Sequence, residues 1–302
     1  MGWSDFIFGF FALIVIVMLG YYFFFPYNQI DFSPKYNNSN FSIGDSSKGM
    51  QFYENMRYPS KEISYKIEDC PLNKKNNVED AFEIISNLTV LEFKEVSSNE
   101  EIHITCDSRK EMDGNLIVAG EGGPANITKT DNFNVITKGE VMIFRESQCE
   151  KPIVGMHEIF HALGFDHSDN PGNVMYEVSD CDQEVGDDIV STINDLYSYP
   201  TYMDLAFEDA SATMNGRYLD ANISVRNHGL KESGSFVLLI YADEDQIKEI
   251  EVDSLQIGYG TTLNLGNVWV SKLGVNEIKF VIKSESDELN KNNNEVRLEL
   301  KE

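Results

Sequence analysis

The sequence is poor in positive charge. It has 24 Lys and Arg against 50 Asp and Glu, which gives a formal net charge of -26 at pH 7. A chain with this balance repels the phosphate backbone of DNA or RNA. The composition therefore argues against a nucleic-acid partner.

Cysteine is scarce as well. The four cysteines, Cys70, Cys106, Cys149 and Cys181, are widely spaced and include no CxxC pair, which excludes the usual thiolate metal sites and redox motifs. An even number of separated cysteines favours two disulfides outside the cell. The alternative is four unrelated buried thiols in a reducing compartment.

Low-complexity tracts are absent, and hydrophobic residues make up 42% of the chain with 12% aromatics. This composition supplies enough apolar surface for packed cores and excludes general disorder. Because 302 residues exceed an average domain of roughly 100 to 200 residues, two globular units are expected.

Charge is missing altogether between Phe6 and Phe25. About 20 apolar residues at 1.5 Å each match the roughly 30 Å of a bilayer core, so this run predicts a single N-terminal transmembrane helix. A cleaved signal peptide is the alternative, but no basic region precedes the run and no small-residue cleavage pattern follows it. Lys35 is the first basic residue, so charge does not determine the orientation.

The remaining patterns divide the chain. We predict an anchor over residues 1–26, an Asn- and Ser-rich tether over 27–57, an α+β domain with a mixed twisted sheet and about three helices over 58–200, and an all-β sandwich over 201–302. Alternating strands and helical spacing support the α+β domain. After Tyr199, seven short strands separated by turn signals support the sandwich.

The chemistry lies in residues 157–167, which read HEIFHALGFDH. His157 and His161 stand at i and i+4 and share one helical face, with Glu158 beside them. Gly164 can end the helix in a left-handed conformation and let His167 approach the same point. Three neutral imidazoles leave one position of a tetrahedral Zn²⁺ open for water, which is a catalytic type of site. We assign no metal role to His103 or His228.

This motif, HExxHxxGxxH followed by Met175-Tyr176, resembles the metzincin zinc peptidases, and its details resemble the matrixin branch. The resemblance implies that His157, His161 and His167 bind zinc, that Glu158 is the general base, and that Met175 forms the methionine turn beneath the metal. It further implies an edge strand in LIVAGEGGP, around Ala119, that binds an extended peptide substrate.

The same resemblance implies two further features. If the matrixin sheet order holds, Cys70 pairs with Cys106 and Cys149 pairs with Cys181, one of three possible connectivities. Five acidic residues could hold calcium, as matrixins often do, but a solvated helix entrance is the favoured interpretation of this segment. The five residues are Asp180, Asp182, Glu184, Asp187 and Asp188.

Some matrixin features are missing: no PRCGxPD segment is present, and Glu177-Val178-Ser179 replaces the usual Pro-x-Tyr segment. The C-terminal segment resembles the Ig-like CARDB module through NISVRNHGLKESGSF and DELNKNNNEVRLEL. We therefore expect a membrane-anchored, extracellular zinc endopeptidase acting on protein or peptide substrates, whose sandwich binds a surface partner or acts as a spacer. The alternative is a surface adhesion or structural metal-binding protein without catalysis.

Overall fold

The computed structural model describes residues 3–24, 29–34, 43–44, 49–108, 111–113, 116–145 and 149–300. Within these ranges the helices are α1 (Trp3–Phe24), α2 (Leu72–Leu88), α3 (Ile153–Ala162) and α4 (Asp187–Leu196). Parts of the predicted tether, residues 27–28, 35–42 and 45–48, lie outside the described residues.

Helix α1 coincides with the uncharged N-terminal run, and its side chains are described for residues 7–20. Among the described residues, no helix is both long enough and apolar enough to cross a membrane. The predicted anchor therefore has no support from the structure.

The first domain is α+β, as the sequence predicts. Its strands are β2 (Met56–Arg57), β3 (Glu62–Glu68), β4 (Glu92–Glu95), β5 (Ile102–Cys106), β6 (Glu111–Asp113), β7 (Leu116–Val118), β8 (Gly120–Lys129) and β9 (Asn134–Ile143), and they follow β1 (Ile30–Pro34) in the chain. The main sheet has the order β2-β9-β5-β3-β4, and β8 pairs with the outer side of β9. All pairings in this sheet are parallel except β8 with β9, which is antiparallel.

Helices α2 and α3 pack on this sheet because each presents an apolar face to it. In α2 the predicted positions Val78, Phe82 and Ile85 are buried, and every residue of α3 is buried. Strands β3 and β5 are parallel neighbours, so their ends meet at one edge, where Cys70 and Cys106 form a disulfide with Cα atoms 4.8 Å apart. This confirms the predicted pairing.

The second domain is β-rich. Its strands are β10 (Leu205–Asn215), β11 (Tyr218–Asn227), β12 (Phe236–Ala242), β13 (Asp245–Val252), β14 (Gly260–Trp269), β15 (Glu277–Lys283) and β16 (Glu295–Leu300). They correspond to the seven predicted strands. Strands β10 and β15 are not neighbours in the ladder, yet the rings of Phe207 and Phe280 lie 6.5 Å apart across one shared core. The ladder therefore folds over on itself.

An eighth strand of this domain comes from the N-terminus. Residues 30–34, which the sequence analysis placed in the tether, form β1 and pair antiparallel with both β16 and β10. Phe32 of β1 is buried in the core of the second domain. The part of the tether that the structure describes here is thus an integral strand and not a free spacer.

The two domains meet at the turn between β8 and β9. Phe133 and Val135 of this hairpin form a buried cluster with Leu230 of the second domain. His228, which is 4% exposed, lies with its Nδ1 3.2 Å from Asp131 at the same turn. The second domain therefore contacts the far end of β8, the strand that leads to the candidate site.

Candidate active site

Helix α3 carries the first two predicted ligands. His157 and His161 are one turn apart on the helix, and both side chains are 7% exposed. The helix ends at Ala162, and Gly164 follows two residues later with a φ of 96°, in the left-handed region that glycine adopts without strain. This turn directs the chain back, so that His167 faces the two helical imidazoles.

The three ring nitrogens converge on one point. The Nε2 atom of His161 lies 3.0 Å from Nε2 of His157 and 3.2 Å from Nε2 of His167. Among the described residues, these are the only three or more His, Cys, Asp or Glu side chains that lie close enough together to hold a metal ion. The predicted ligands are therefore brought together.

Backbone carbonyls determine which ring nitrogens are free. The Nδ1 of His157 lies 2.7 Å from the carbonyl of Val174, and the Nδ1 of His161 lies 2.8 Å from that of Phe165. A carbonyl only accepts, so each Nδ1 carries the proton and each Nε2 presents a lone pair. Two such lone pairs at 3.0 Å repel each other unless a cation lies between them, and imidazole nitrogens are typical zinc ligands. The donor set therefore fits Zn²⁺.

Burial keeps these imidazoles neutral. It lowers the pKa of His157, and it lowers the pKa of His161 to about 4, with the neighbouring His157 adding to the effect. Neutral imidazole is the form that binds a metal.

The predicted methionine turn lies directly beside the ligands. Met175 is 1% exposed within the core of the domain. Its carbonyl accepts a hydrogen bond of 2.8 Å from the backbone of Ser168, which follows His167. The preceding residue, Val174, orients His157. One turn thus holds two of the three ligand segments in place.

Glu158 faces the cleft from α3 and is 6% exposed. Burial, and then the carboxylate of Glu121, raise its pKa to about 8. Strand β8 passes close to this side chain, because a Cβ added at Gly120 would lie 2.7 Å from Cγ of Glu158.

Strand β8 has one free edge beside this cleft, since within the described residues its only ladder partner is β9. The carbonyl of Ala119 accepts hydrogen bonds from Phe144 and Arg145. The facing positions Gly120 and Ile143 are therefore a non-hydrogen-bonded pair, and the backbone N–H and C=O of Gly120 point away from β9. The direction of the backbone groups alternates along the strand, so the N–H and C=O of Gly122 also point away from β9.

A comparison with protein families agrees with this geometry. Residues 57–198 match the model of the family described as Matrixin. The chain carries a matrixin domain. Residues 204–297 match the family described as CARDB, so both resemblances seen in the sequence are confirmed. No curated protein matches the chain.

The second predicted disulfide encloses the ligands of the matrixin domain. Cys149 precedes α3 and Cys181 follows the methionine turn, and their sulfur atoms are bonded. Both predicted pairings are therefore present. Zinc binding is supported by the matrixin domain together with the histidine triad.

The acidic segment predicted as a calcium site makes other contacts. Glu184 pairs with Lys151 at 3.1 Å, Asp180 accepts a hydrogen bond from the backbone of Asp182, and Asp188 accepts one from the backbone of Ile189. Asp187 is exposed in the first turn of α4. Calcium at this segment stays a prediction.

The sequence analysis gave no individual role to three residues of the site, although Glu121 lies in the predicted edge segment and Glu177 in the segment that replaces Pro-x-Tyr. Phe52 stacks on His161 with ring centroids 5.7 Å apart, although it lies more than 100 positions earlier in the chain. Glu121 and Glu177 line the cleft of the matrixin domain. Side chains alternate between the two faces of β8, which indicates the face on which Glu121 lies. No pattern in the sequence predicts that Phe52 contacts His161.

Proposed function

We propose that the chain is a zinc-dependent endopeptidase in which His157, His161 and His167 hold the metal and Glu158 is the general base. The observation that carries this proposal is the convergence of the three Nε2 atoms beside the buried side chain of Glu158. The matrixin domain supports a zinc metallopeptidase in general.

The chemistry divides between the metal and the chain. Bound zinc would supply a Lewis acid that polarises a carbonyl and lowers the pKa of water. Glu158 accepts the proton of the attacking water and returns it to the leaving amine. The helix keeps Glu158 next to the ligand His157, while β8 and α3 exclude bulk water from its buried side.

The free edge of β8 holds the substrate. An extended peptide adds to such an edge by pairing with its outward N–H and C=O groups, which belong to Gly120 and Gly122. Backbone pairing demands little of the substrate sequence. Ala119, around which the substrate edge was predicted, directly precedes β8, and its carbonyl is turned towards β9 and not towards the free edge.

The test uses the full chain. Glu158→Gln is expected to keep stoichiometric zinc and to lose peptide hydrolysis, because it removes the base and leaves all three ligands in place. His161→Ala should lose both. His103→Ala is the matched control, since His103 lies outside the triad and pairs with Glu100. Zinc content and turnover of a protein substrate are measured for all four proteins.

Two outcomes would contradict the proposal. Undiminished hydrolysis by the Glu158→Gln variant would exclude Glu158 as the base. A wild-type protein that binds zinc but cleaves no substrate would favour the alternative, a surface protein without catalysis.

We further propose that the segment Phe6–Phe25 anchors the chain in a membrane, that the matrixin domain faces outside, and that the CARDB domain meets a surface partner. The uncharged run and the two disulfides support this location, because disulfides are typical of oxidising compartments. Protease added to intact cells should remove most of the chain. Full protection would contradict this topology.

A further inference from the structure

The candidate cleft is acidic. It has a volume of about 420 Å³, and its described lining includes the residues Glu121, Glu158 and Glu177 but no Lys or Arg. Glu121 and Glu177 are exposed, and no ion pair joins either of them to another described residue. The ionisable side chains of the described lining, apart from the histidines, are therefore all acidic.

The register of β8 assigns Glu121 a definite place relative to a bound strand. Gly120 and Gly122 direct their backbone groups outward, so Glu121, which lies between them, directs its own backbone towards β9. If a substrate adds to this edge as an antiparallel strand, the substrate residue opposite Glu121 forms a non-hydrogen-bonded pair with Glu121. The side chains of such a pair share one face, with Cβ atoms roughly 4.5 to 5.5 Å apart.

The neighbours of Glu121 strengthen this negative field. On the same face of the sheet, a groove shared with Glu121 is lined by Glu140 and His103. His103 already has carboxylate partners, with Glu100 at 3.0 Å and Glu68 at 3.7 Å. Neither of the two grooves that Glu121 lines has a Lys or Arg among its described residues.

We infer that Glu121 selects a Lys or Arg side chain at the substrate position opposite it. This inference rests on the proposed peptidase function and names its substrate class as cationic peptides. Directly opposed unlike charges on neighbouring strands attract, and like charges repel. A peptide with Lys at this position should therefore be preferred over the same peptide with Glu by about three- to tenfold.

The experiment compares peptides that differ only by Lys, Gln or Glu, scanned through six positions around the cleaved bond. Two quantities are measured on the zinc-loaded full chain: kcat/KM with the wild type, and the Kd of each peptide with the non-hydrolysing Glu158→Gln variant. The expected result is a Lys preference at one position in both measurements, which weakens as salt is raised.

Variants at Glu121 sharpen the test. Glu121→Gln should remove the preference at that one position, and Glu121→Lys should reverse it in favour of Glu. Ratios between peptides are compared within each variant, so any effect of Glu121 on Glu158 cancels. Glu83→Gln, which removes one exposed charge from α2 away from the cleft, is the matched control and should keep the preference.

The outcomes separate the two proposals. If peptides bind with the Lys preference but none is cleaved by the wild type, the proposed catalysis fails and the selectivity stands. If peptides are bound or cleaved equally well with Lys and Glu, or if Glu121→Lys does not change the ratio, the selectivity is wrong while the peptidase function stands. Absence of both binding and cleavage would overturn both.

Discussion

The Cα of Gly122 lies against the backbone carbonyl of Glu158. A Cβ added at Gly122 would overlap that oxygen, so the edge strand and the helix of the base approach each other only because this position has no side chain. Strand β8, which is proposed to bind the substrate, thus contacts the backbone of Glu158, the residue proposed to accept the proton of the attacking water.

Gly122→Ala should force β8 away from α3. We expect at least a tenfold loss of kcat/KM and a loss of stability of about 1 to 3 kcal/mol, typical of overpacking. Gly123→Ala is the matched control, because nothing lies within 4 Å of a Cβ added there. Peptide turnover and thermal unfolding measure both effects. Equal turnover and equal thermal stability of the two variants would show that the close approach of Gly122 to Glu158 is unimportant.

Arg57 is expected to stabilise the matrixin domain. It is 1% exposed, its guanidinium lies 4.3 Å from the centre of the Tyr197 ring, and it donates hydrogen bonds to the carbonyls of Leu196 and Tyr199 at the end of α4. Arg57→Met removes these hydrogen bonds and the ring contact from a buried site and should lower the free energy of unfolding by about 3 kcal/mol.

The control for this change is Arg297→Met. Arg297 is exposed and pairs with Glu277 and Glu295, and such surface pairs contribute about 0 to 1 kcal/mol. Denaturant unfolding of both variants gives the comparison. If Arg57→Met lowers the free energy of unfolding no more than Arg297→Met does, Arg57 does not stabilise the domain as proposed.

The disulfide between Cys149 and Cys181 is expected to hold the ligand segments together. It closes a loop with a sequence separation of 32 that contains all three histidines. Replacing both cysteines with Ser should cost roughly 3.5 kcal/mol by the chain-entropy relation and should weaken zinc retention against a chelator. The double variant at Cys70 and Cys106, whose loop contains no ligand, should lose stability but retain zinc better.

Peptide mapping under non-reducing conditions checks the connectivity that this prediction assumes. Protein made under oxidising conditions should give the linked peptides 70 with 106 and 149 with 181. Free thiols at all four positions would contradict it.

Asp204 should make the stability of the second domain depend on pH. Burial raises its pKa from 3.8 to about 6, although the amide of Asn293 donates to its Oδ1 and opposes the rise. A carboxyl whose pKa is higher in the folded state binds its proton more tightly there. Its contribution to stability is therefore complete below about pH 4 and is lost as the pH rises through 6.

Asp204→Asn removes this dependence while keeping an acceptor for Asn293. The variant should be more stable than the wild type at pH 8, by about 2 to 3 kcal/mol at most, and nearly equal to it at pH 4. Asp209→Asn, at an exposed position of β10, is the matched control. Thermal unfolding across this pH range measures the difference, and parallel curves for wild type and Asp204→Asn would disprove the assignment.

The local parts of the protein could be predicted from the sequence. The i, i+4 spacing of His157 and His161 is a property of any α-helix, and Gly164 provides the turn that His167 needs, so the ligand set required no tertiary information. Alternating apolar positions likewise predict the strands of both domains, because burial on one face imposes a period of two.

Only the tertiary structure decided which distant segments meet. Phe32 enters the core of the second domain because β1 pairs with the backbone groups of β10 and β16. The five residues of β1 contain no pattern that identifies these two strands as its partners. The stacking of Phe52 on His161 and the contact of Gly122 with Glu158 have the same origin. They depend on how strand and helix pack in three dimensions, and packing joins residues whose separation along the chain carries no periodic signal.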